Sequence, residues 1–248
     1  MKKIFLLTVI LFINLSVLSC SSGDDTENGG AETGIALPFE SRLFFEDNGE
    51  LDPERNAIET VIRETISLVN QKMSVENLNI RIKASPSNAI PEIGIGGFNP
   101  NAGEVILSID PNFTNLAQSI ATELGPLLAH EMHHAKRRRT VGYGSTLLEA
   151  SVSEGLADCF AMEITGIDPP IWSVALTGST LEEWIDIAGE SWNDSSYNHA
   201  RWFFGTSPDV PRWTGYSIGF KLVKDYIAAN PTRKPSDLFN ESASSFDQ

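Results

Sequence analysis

Three of the four histidines in the chain lie within residues 130–134, which read His-Glu-Met-His-His. This segment contains the pattern His-Glu-x-x-His. On a helix, His130 and His134 share one face and can both direct a ring nitrogen at one metal ion. Glu131 lies beside that face and can reach a water molecule on the metal. The spacing therefore predicts a zinc site with His130 and His134 as ligands and Glu131 as the general base.

A catalytic zinc site needs a third protein ligand and an open position, which two histidines do not supply. Glu154 and Asp158 lie four positions apart on the next predicted helix, and therefore on one helical face. If this helix folds back against the first, Glu154 becomes the third ligand of one Zn²⁺ per chain. Asp158 can then accept the other ring N–H of a ligand histidine and fix its orientation. The alternative, surface histidines at the basic end of a helix, does not account for these two carboxylates.

The order of these residues resembles the gluzincin, or thermolysin-like, metalloproteases, in which His-Glu-x-x-His is followed by Glu-x-x-x-Asp. The segment from Leu128 to Phe160 is most similar to a bacterial family of predicted zinc-dependent proteases, long filed as a domain of unknown function. That family shares the His-Glu-x-His-His core and a Glu-Gly-Leu-Ala segment. The resemblance covers roughly residues 125–245, since the segments 202–205 and 215–219 also match.

The resemblance implies peptide-bond hydrolysis by a zinc-activated water molecule, with Glu131 as base and then as proton shuttle. Gluzincins usually add a neutral or cationic donor that stabilises the oxyanion. Tyr216 is the first candidate, because it follows Glu154 at about the distance of the tyrosine that plays this part in gluzincin aminopeptidases. His199 is the second, and Tyr143 and Tyr197 are further candidates. For each of these residues, the alternative is a packed or exposed side chain without a catalytic role.

Four other features have structural explanations. His133 faces away from the metal and is predicted to be a surface residue or to orient a ligand. The basic run 136–139 is predicted to be a solvated helix end, where cations interact favourably with the helix dipole. Cys159 is predicted to pack as a small hydrophobic residue. The five tryptophans between residues 172 and 213 are predicted to fill a core.

The strand Ile93–Phe98 precedes the motif helix. In zincins, an edge strand at this place pairs with the extended substrate, and Gly94, Gly96 and Gly97 would allow close approach of a backbone. A glycine-weakened strand without a substrate role is the equal alternative.

Hydrophobic spacing and turn residues predict the surrounding elements. Predicted helices are Pro53–Met73, Asn115–Leu124, Pro126–Arg139, Ser145–Ile164, Leu181–Ala188 and Tyr216–Ala229. Predicted strands are Leu78–Ile82, Ile93–Phe98 and Glu104–Ile109, the last two as a hairpin. Gly125-Pro126 predicts a kink or a new helix, and Ser145 is a candidate N-cap. The expected fold is α+β and zincin-like, with a small mixed sheet, the His-Glu-x-x-His helix and a mostly helical C-terminal lobe.

The N-terminal residues are typical of a bacterial lipoprotein. Two lysines and a short apolar run lead to Val-Leu-Ser-Cys, which predicts a signal peptide at 1–19 and a lipid on Cys20. An ordinary secretory signal that ends near a cysteine is the alternative. Residues 20–34 are polar and acidic, which predicts a flexible tether, and 35–248 are predicted to form one domain. The acidic residues after Cys20 resemble the surface-export signal of Bacteroidota lipoproteins, so the outer membrane and the cell surface are the expected location.

Composition excludes one class of partner. The formal charge is −15, and a chain this acidic is not expected to bind nucleic acid through phosphates. The sequence predicts an envelope-anchored zinc peptidase that acts on a peptide or protein substrate. A zinc hydrolase of a non-peptide amide and a non-catalytic binding lipoprotein on a zincin scaffold remain alternatives. The sequence leaves the oligomeric state and the cleavage specificity open.

Overall fold

One five-stranded sheet and six α-helices make up the part of the chain that the computed structural model describes, residues 34–247. The signal peptide, Cys20 and nearly all of the proposed tether lie outside the described residues. The strands are β1 (Ile35–Ala36), β2 (Arg42–Glu46), β3 (Asn79–Ala84), β4 (Ile95–Asn101) and β5 (Glu104–Ile109). The helices are α1 (Arg55–Asn70), α2 (Leu116–Arg138), α3 (Leu147–Thr165), α4 (Gly178–Gly189), α5 (His199–Phe203) and α6 (Thr214–Ala229). None of the helices within the described range is both long and apolar enough to cross a membrane.

The sheet has the strand order β1-β2-β3-β5-β4. The central strands β2, β3 and β5 are parallel to one another, while β1 and β4 run antiparallel to their neighbours. The sheet is therefore mixed, as predicted, and β1 and β4 are its two edge strands. The three predicted strands are confirmed as β3, β4 and β5, and β1 and β2 were not predicted.

The first core lies between the sheet and helices α1 and α2. Ile58, Ile62 and Ile66 of α1 recur at helical spacing and are fully buried. On β3, Ile80 and Ile82 alternate with polar residues and face the same core. This packing places α2, which carries the histidines, directly beside the edge strand β4.

Helix α2 continues through Pro126, so the prediction of a new helix at this residue is wrong. Proline in a helix interior costs about 3 kcal/mol, because it removes a hydrogen bond and crowds the preceding turn. The flanking residues Leu124, Leu127 and Leu128 are buried in the core, and this burial offsets the cost. Packing against the core thus keeps the chain helical where local propensity predicts an interruption.

Helix α3 begins at Leu147, two residues later than the predicted start at Ser145. Thr146, not Ser145, is the N-cap, because its hydroxyl accepts from the backbone N–H of Glu149. The Glu149 carboxylate accepts from the backbone N–H of Thr146, which completes a capping box.

Helix α3 packs closely against α6 in the mostly helical C-terminal region, which is confirmed. A Cβ atom on Gly155 of α3 would lie 2.2 Å from the carbonyl of Gly219 on α6. A Cβ atom on Gly219 would lie 1.8 Å from the main-chain oxygen of Ser151. The two backbones therefore approach each other at positions where only glycine fits.

Candidate metal centre

His130 and His134 lie one turn apart on α2, and Glu154 faces them from α3. The Nε2 atoms of the two histidines are 2.9 Å apart. Oε2 of Glu154 is 3.1 Å from Nε2 of His130 and 3.4 Å from Nε2 of His134. These three residues are buried and form the one cluster among the described residues that could hold a metal ion. The structure thus brings together the three residues that the sequence predicts as ligands.

The donor atoms fit a zinc ion in both type and spacing. Two imidazoles and one carboxylate are a ligand set of catalytic zinc sites. A tetrahedral zinc with bonds of about 2.0–2.1 Å separates its ligand atoms by roughly 3.3 Å. The observed separations of 2.9–3.4 Å lie close to this value. The cluster can therefore close around one ion with shifts of a few tenths of an ångström.

Asp158 fixes the orientation of His130. Its Oδ1 atom is 2.8 Å from Nδ1 of His130, so the ring donates from Nδ1 and directs Nε2 at the ligand cluster. Trp172 donates its indole N–H to the same carboxylate at 3.1 Å, and Ser173 donates its hydroxyl at 2.5 Å. Asp158 is fully buried, and these three donors hold it in one position.

Tyr143 donates a hydrogen bond to Glu154 from the loop between α2 and α3. Its hydroxyl lies 2.5 Å from Oε1, the carboxylate oxygen that does not face the histidines. The sequence proposed Tyr143 as a donor to the oxyanion, whereas the structure places its hydroxyl on the proposed ligand.

Glu131 is buried beside the cluster and packs against the edge strand. A Cβ atom on Gly97 of β4 would lie 2.5 Å from Oε1 of Glu131 and 2.9 Å from its Cγ. The absence of a side chain at this position leaves room for the Glu131 carboxylate.

The pKa values reflect a buried group of charges of opposite sign. Burial by itself raises the pKa of Glu154, but the imidazoles of His134 and His130 outweigh it, and the pKa lies well below its usual value. Burial also lowers the pKa of His130, yet Asp158 and Glu154 outweigh it and the pKa lies well above its usual value. Burial raises the pKa of Glu131, and the two imidazoles oppose it only in part. Three buried carboxylates beside two histidines are an environment that a divalent cation would stabilise.

A cleft of about 580 Å³ runs along the edge strand and reaches His130 and Glu131. Tyr216 of α6 lines this cleft, and no residue in the described range forms a hydrogen bond with its hydroxyl. Burial raises the pKa of Tyr216 well above its usual value, and nearby carboxylates add to this effect, so the phenol stays protonated at neutral pH. Phe98 and Phe204 also line the cleft, and each leaves more than half of its surface exposed.

The backbone N–H and carbonyl of Gly97 are the groups at this edge of β4 that remain open to a substrate. The N–H of Ile90 donates to the carbonyl of Ile95 at 3.2 Å, so the backbone N–H and carbonyl of Ile95 point away from β5. Strand residues alternate in direction, and Gly97 therefore points its N–H and carbonyl the same way. At the next such position, Arg138 donates to the carbonyl of Asn99 at 3.1 Å. Along β4, the outward-pointing backbone groups of Gly97 are therefore the ones left available for a substrate, and Gly97 also contacts Glu131.

A second cavity of about 270 Å³ borders His130 and Asp158. Its walls are mostly apolar, with prolines and isoleucines from the segment after α3. Leu127, His130 and Trp172 line both cavities and therefore form the boundary between them.

The other proposed oxyanion donors lie outside the cleft lining. His199 stacks on Phe203 at a ring-centroid distance of 4.3 Å, and its Nδ1 is 3.0 Å from the Tyr197 hydroxyl. Burial lowers the pKa of His199. The ring centroids of Tyr143 and His199 are 6.2 Å apart. His199 therefore packs near the tyrosine that binds Glu154.

His133 and the basic run 136–139 lie in environments that differ from those predicted, whereas Cys159 lies where predicted. His133 is fully buried against Phe160, so its assignment to the surface is wrong, and neither of its ring nitrogens has a partner within the described part of the chain. Cys159 is buried as predicted, and burial raises its pKa. The basic run is not simply solvated, because Arg137 is buried and Arg138 donates to the side chain of Asn99 on β4.

The sequence did not reveal that Trp172 and Ser173 donate hydrogen bonds to Asp158. The tryptophan was predicted to pack in a core, and it is indeed buried, but its N–H also binds Asp158. The usable signal is that a buried indole N–H needs an acceptor. Nothing local indicates which acceptor it finds, because the segment after α3 has no periodic pattern.

Fold and site together define an α+β protein with a His-Glu-x-x-His helix and a third buried acidic residue on the following helix. A family model described as predicted Zn-dependent protease (DUF2268) matches residues 58–248. The match covers well over half of the chain, and the chain belongs to this family. The match confirms the predicted resemblance to a family of zinc-dependent proteases. No curated protein matches the sequence significantly.

Proposed function

We propose that this protein is a gluzincin-type zinc peptidase that hydrolyses peptide bonds in polypeptide substrates. One observation carries the proposal: Nε2 of His130, Nε2 of His134 and Oε2 of Glu154 converge within 3.4 Å of one another, beside the buried carboxylate of Glu131. The family description supports a zinc-dependent protease in general.

His130, His134 and Glu154 would hold the zinc, which supplies a Lewis acid that activates water and polarises the scissile carbonyl. Glu131 accepts a proton from the attacking water as the new C–O bond forms. It then delivers that proton to the amine nitrogen as the C–N bond breaks. Tyr216, a neutral phenol in the same cleft, donates a hydrogen bond to the developing oxyanion.

The cleft favours a polypeptide over a small polar amide. Gly97 offers an N–H and a carbonyl that can bind the backbone of one extended residue. Phe98 and Phe204 expose apolar surface at the same cleft, where apolar side chains of a substrate would cover it. A carbohydrate-linked amide would use neither feature well.

A purely binding protein on this scaffold is less consistent with Glu131. This carboxylate is 5 % exposed and burial raises its pKa, so keeping it in place costs stability. General-base catalysis is a reason to retain a buried carboxylate at this point, whereas binding alone needs none.

We further propose that a lipid on Cys20 anchors the enzyme to the bacterial envelope, at the outer membrane. This part depends on the sequence of residues 1–34 alone. Mass spectrometry of the mature N-terminus would test it: a diacylated or triacylated cysteine is expected. An unmodified N-terminus at another residue would refute the anchor and leave the enzymatic proposal intact.

Metal content and peptide cleavage, measured on one sample, test the enzymatic proposal. We expect about one zinc per chain and chelator-sensitive cleavage of a quenched peptide library. Glu131→Gln should keep zinc and lower kcat at least about 100-fold, because it removes the general base. Glu183→Gln makes the same chemical change on the exposed face of α4 and should behave as wild type. A protein that binds no zinc would refute the metal centre, and zinc without peptide cleavage would favour a non-peptide amide substrate.

A further inference from the structure

The two oxygens of the Glu154 carboxylate have different partners. Oε2 faces Nε2 of His130 and Nε2 of His134 at 3.1 and 3.4 Å. Oε1 accepts the hydroxyl proton of Tyr143 at 2.5 Å. One oxygen therefore belongs to the ligand cluster, and the other is held away from it by a phenol.

Both helices of the site hold Tyr143 in place, α2 through its ring and α3 through its main chain. The ring edge contacts His134 at a centroid distance of 5.3 Å, and the guanidinium of Arg138 lies 5.2 Å from the ring centre. From α3, the hydroxyl of Ser153 donates to the main-chain carbonyl of Tyr143 at 2.5 Å. The same hydroxyl accepts from Arg137 of α2 at 3.0 Å.

The backbone around Tyr143 is equally restricted. Gly142 and Gly144 have φ values of +85° and +111°, which residues with side chains rarely adopt. A Cβ atom on Gly144 would lie 2.3 Å from Cβ of Glu149, so the loop lies directly on the first turn of α3. The phenol therefore has little freedom to leave the carboxylate.

We propose that Tyr143 is a positioning residue that keeps Glu154 a monodentate ligand, with Oε2 alone available to the metal. This inference rests on the proposed function, since it concerns the same zinc. A carboxylate that bound through both oxygens would occupy an additional coordination position. By holding Oε1, Tyr143 keeps that position open for water and substrate, and it fixes the ligand before the metal binds.

Tyr143→Phe tests the inference, because it removes one hydroxyl and keeps the ring contacts. Zinc affinity would be measured by competition with a fluorescent chelator, and coordination by the visible absorption of the cobalt-substituted protein. We expect the zinc dissociation constant to rise about 10- to 100-fold, as is typical when a residue that orients a metal ligand is lost. We also expect weaker cobalt absorption, because release of Oε1 raises the coordination number. Circular dichroism and the melting temperature of the metal-free variant would check its folding.

Tyr197→Phe is the matched control, since its hydroxyl binds His199 and not a proposed ligand. The zinc dissociation constant of this control should stay within about threefold of the wild-type value. Its cobalt spectrum should not change. An unchanged cobalt spectrum in Tyr143→Phe would overturn the inference, whether or not the affinity falls. A lower kcat with unchanged zinc affinity would also overturn it, because Tyr143 would then act on the oxyanion. A wild-type protein that binds no zinc would instead refute the proposed function itself.

Discussion

Replacement of Gly97 by alanine should disable the general base without removing the metal. The added Cβ atom would lie 2.5 Å from Oε1 of Glu131, and ordinary contact begins at 3.4 Å. Gly97 is not among the glycines with positive φ, so its backbone accepts alanine. Space is therefore the property that the substitution changes.

The required shift sets the size of the effect. Relief of the overlap needs a displacement of 3.4 − 2.5 = 0.9 Å between Glu131 and the strand. A misplacement of about 1 Å in a catalytic group can cost about 100-fold in rate, which corresponds to roughly 2.7 kcal/mol. Overpacking also costs about 1–3 kcal/mol of folding free energy. Zinc affinity should change little, because Glu131 is not one of the proposed ligands.

Three measurements on Gly97→Ala would check this reasoning: kcat on a cleaved peptide, zinc affinity and melting temperature. Gly103→Ala is the matched control in the same hairpin, because its nearest neighbour would lie 3.6 Å away. The control should keep wild-type activity. Full activity in Gly97→Ala, with Glu131→Gln inactive, would refute the close packing of the base on the strand. Loss of zinc in Gly97→Ala would show that the substitution disturbs the ligands and not only the base.

Three further predictions concern the supports of the site. Gly219→Ala should lower the melting temperature by several degrees and weaken zinc binding, because its Cβ would lie 1.8 Å from a main-chain oxygen of α3. Gly189→Ala, with 3.8 Å to its nearest neighbour, should change neither, and equal behaviour of the two variants would contradict the argument. Asp158→Asn should raise the zinc dissociation constant about 10- to 100-fold, since the acceptor of His130 loses its charge and an amide NH2 cannot accept from Trp172 or Ser173. The exposed Asp186→Asn is its control, and chelator competition is the measurement. For Glu149, backbone hydrogen bonds at the start of α3 lower the pKa below 4.5. The carboxylate therefore stabilises the fold above its unfolded pKa, and this contribution is lost as pH falls through the folded pKa. Urea unfolding at several acidic pH values should show a shallower loss of stability in Glu149→Gln, and an unchanged slope would contradict the capping box.

The ligand helices were predictable because their signals are local. Helical spacing brings residues four apart onto one face, so the histidine pair needs no knowledge of the rest of the fold. Strand β3 was predictable because apolar and polar residues alternate along it, and β5 because an apolar run follows residues typical of a turn. By contrast, β2 is short, reads Arg-Leu-Phe-Phe-Glu and pairs in parallel with β3 across the intervening α1. Such a pairing depends on how α1 packs, which no local pattern contains.

The partners of the proposed ligands were hidden for the same reason. Asp158 was predicted to bind a ligand histidine because one helical face can be derived from the sequence. Its donors Trp172 and Ser173 come from an irregular segment whose path depends on the packing of α3 and α6. Tyr143 was recognised as a candidate, but its target could not be derived, because a loop between two helices can direct a phenol to either side.

Close contacts between elements at two glycines bring the residues of the site together. The histidine helix lies next to the edge strand at Gly97, and the helix with Glu154 lies next to α6 at Gly219. At the first contact, the missing side chain admits the proposed base. At the second, it lets α6 bring Tyr216 toward the same cleft. A model of the ligands alone would therefore account for metal binding but not for the positions of the base and the phenol. Those positions depend on the distances between elements, and the variants at Gly97 and Gly219 change these distances one at a time.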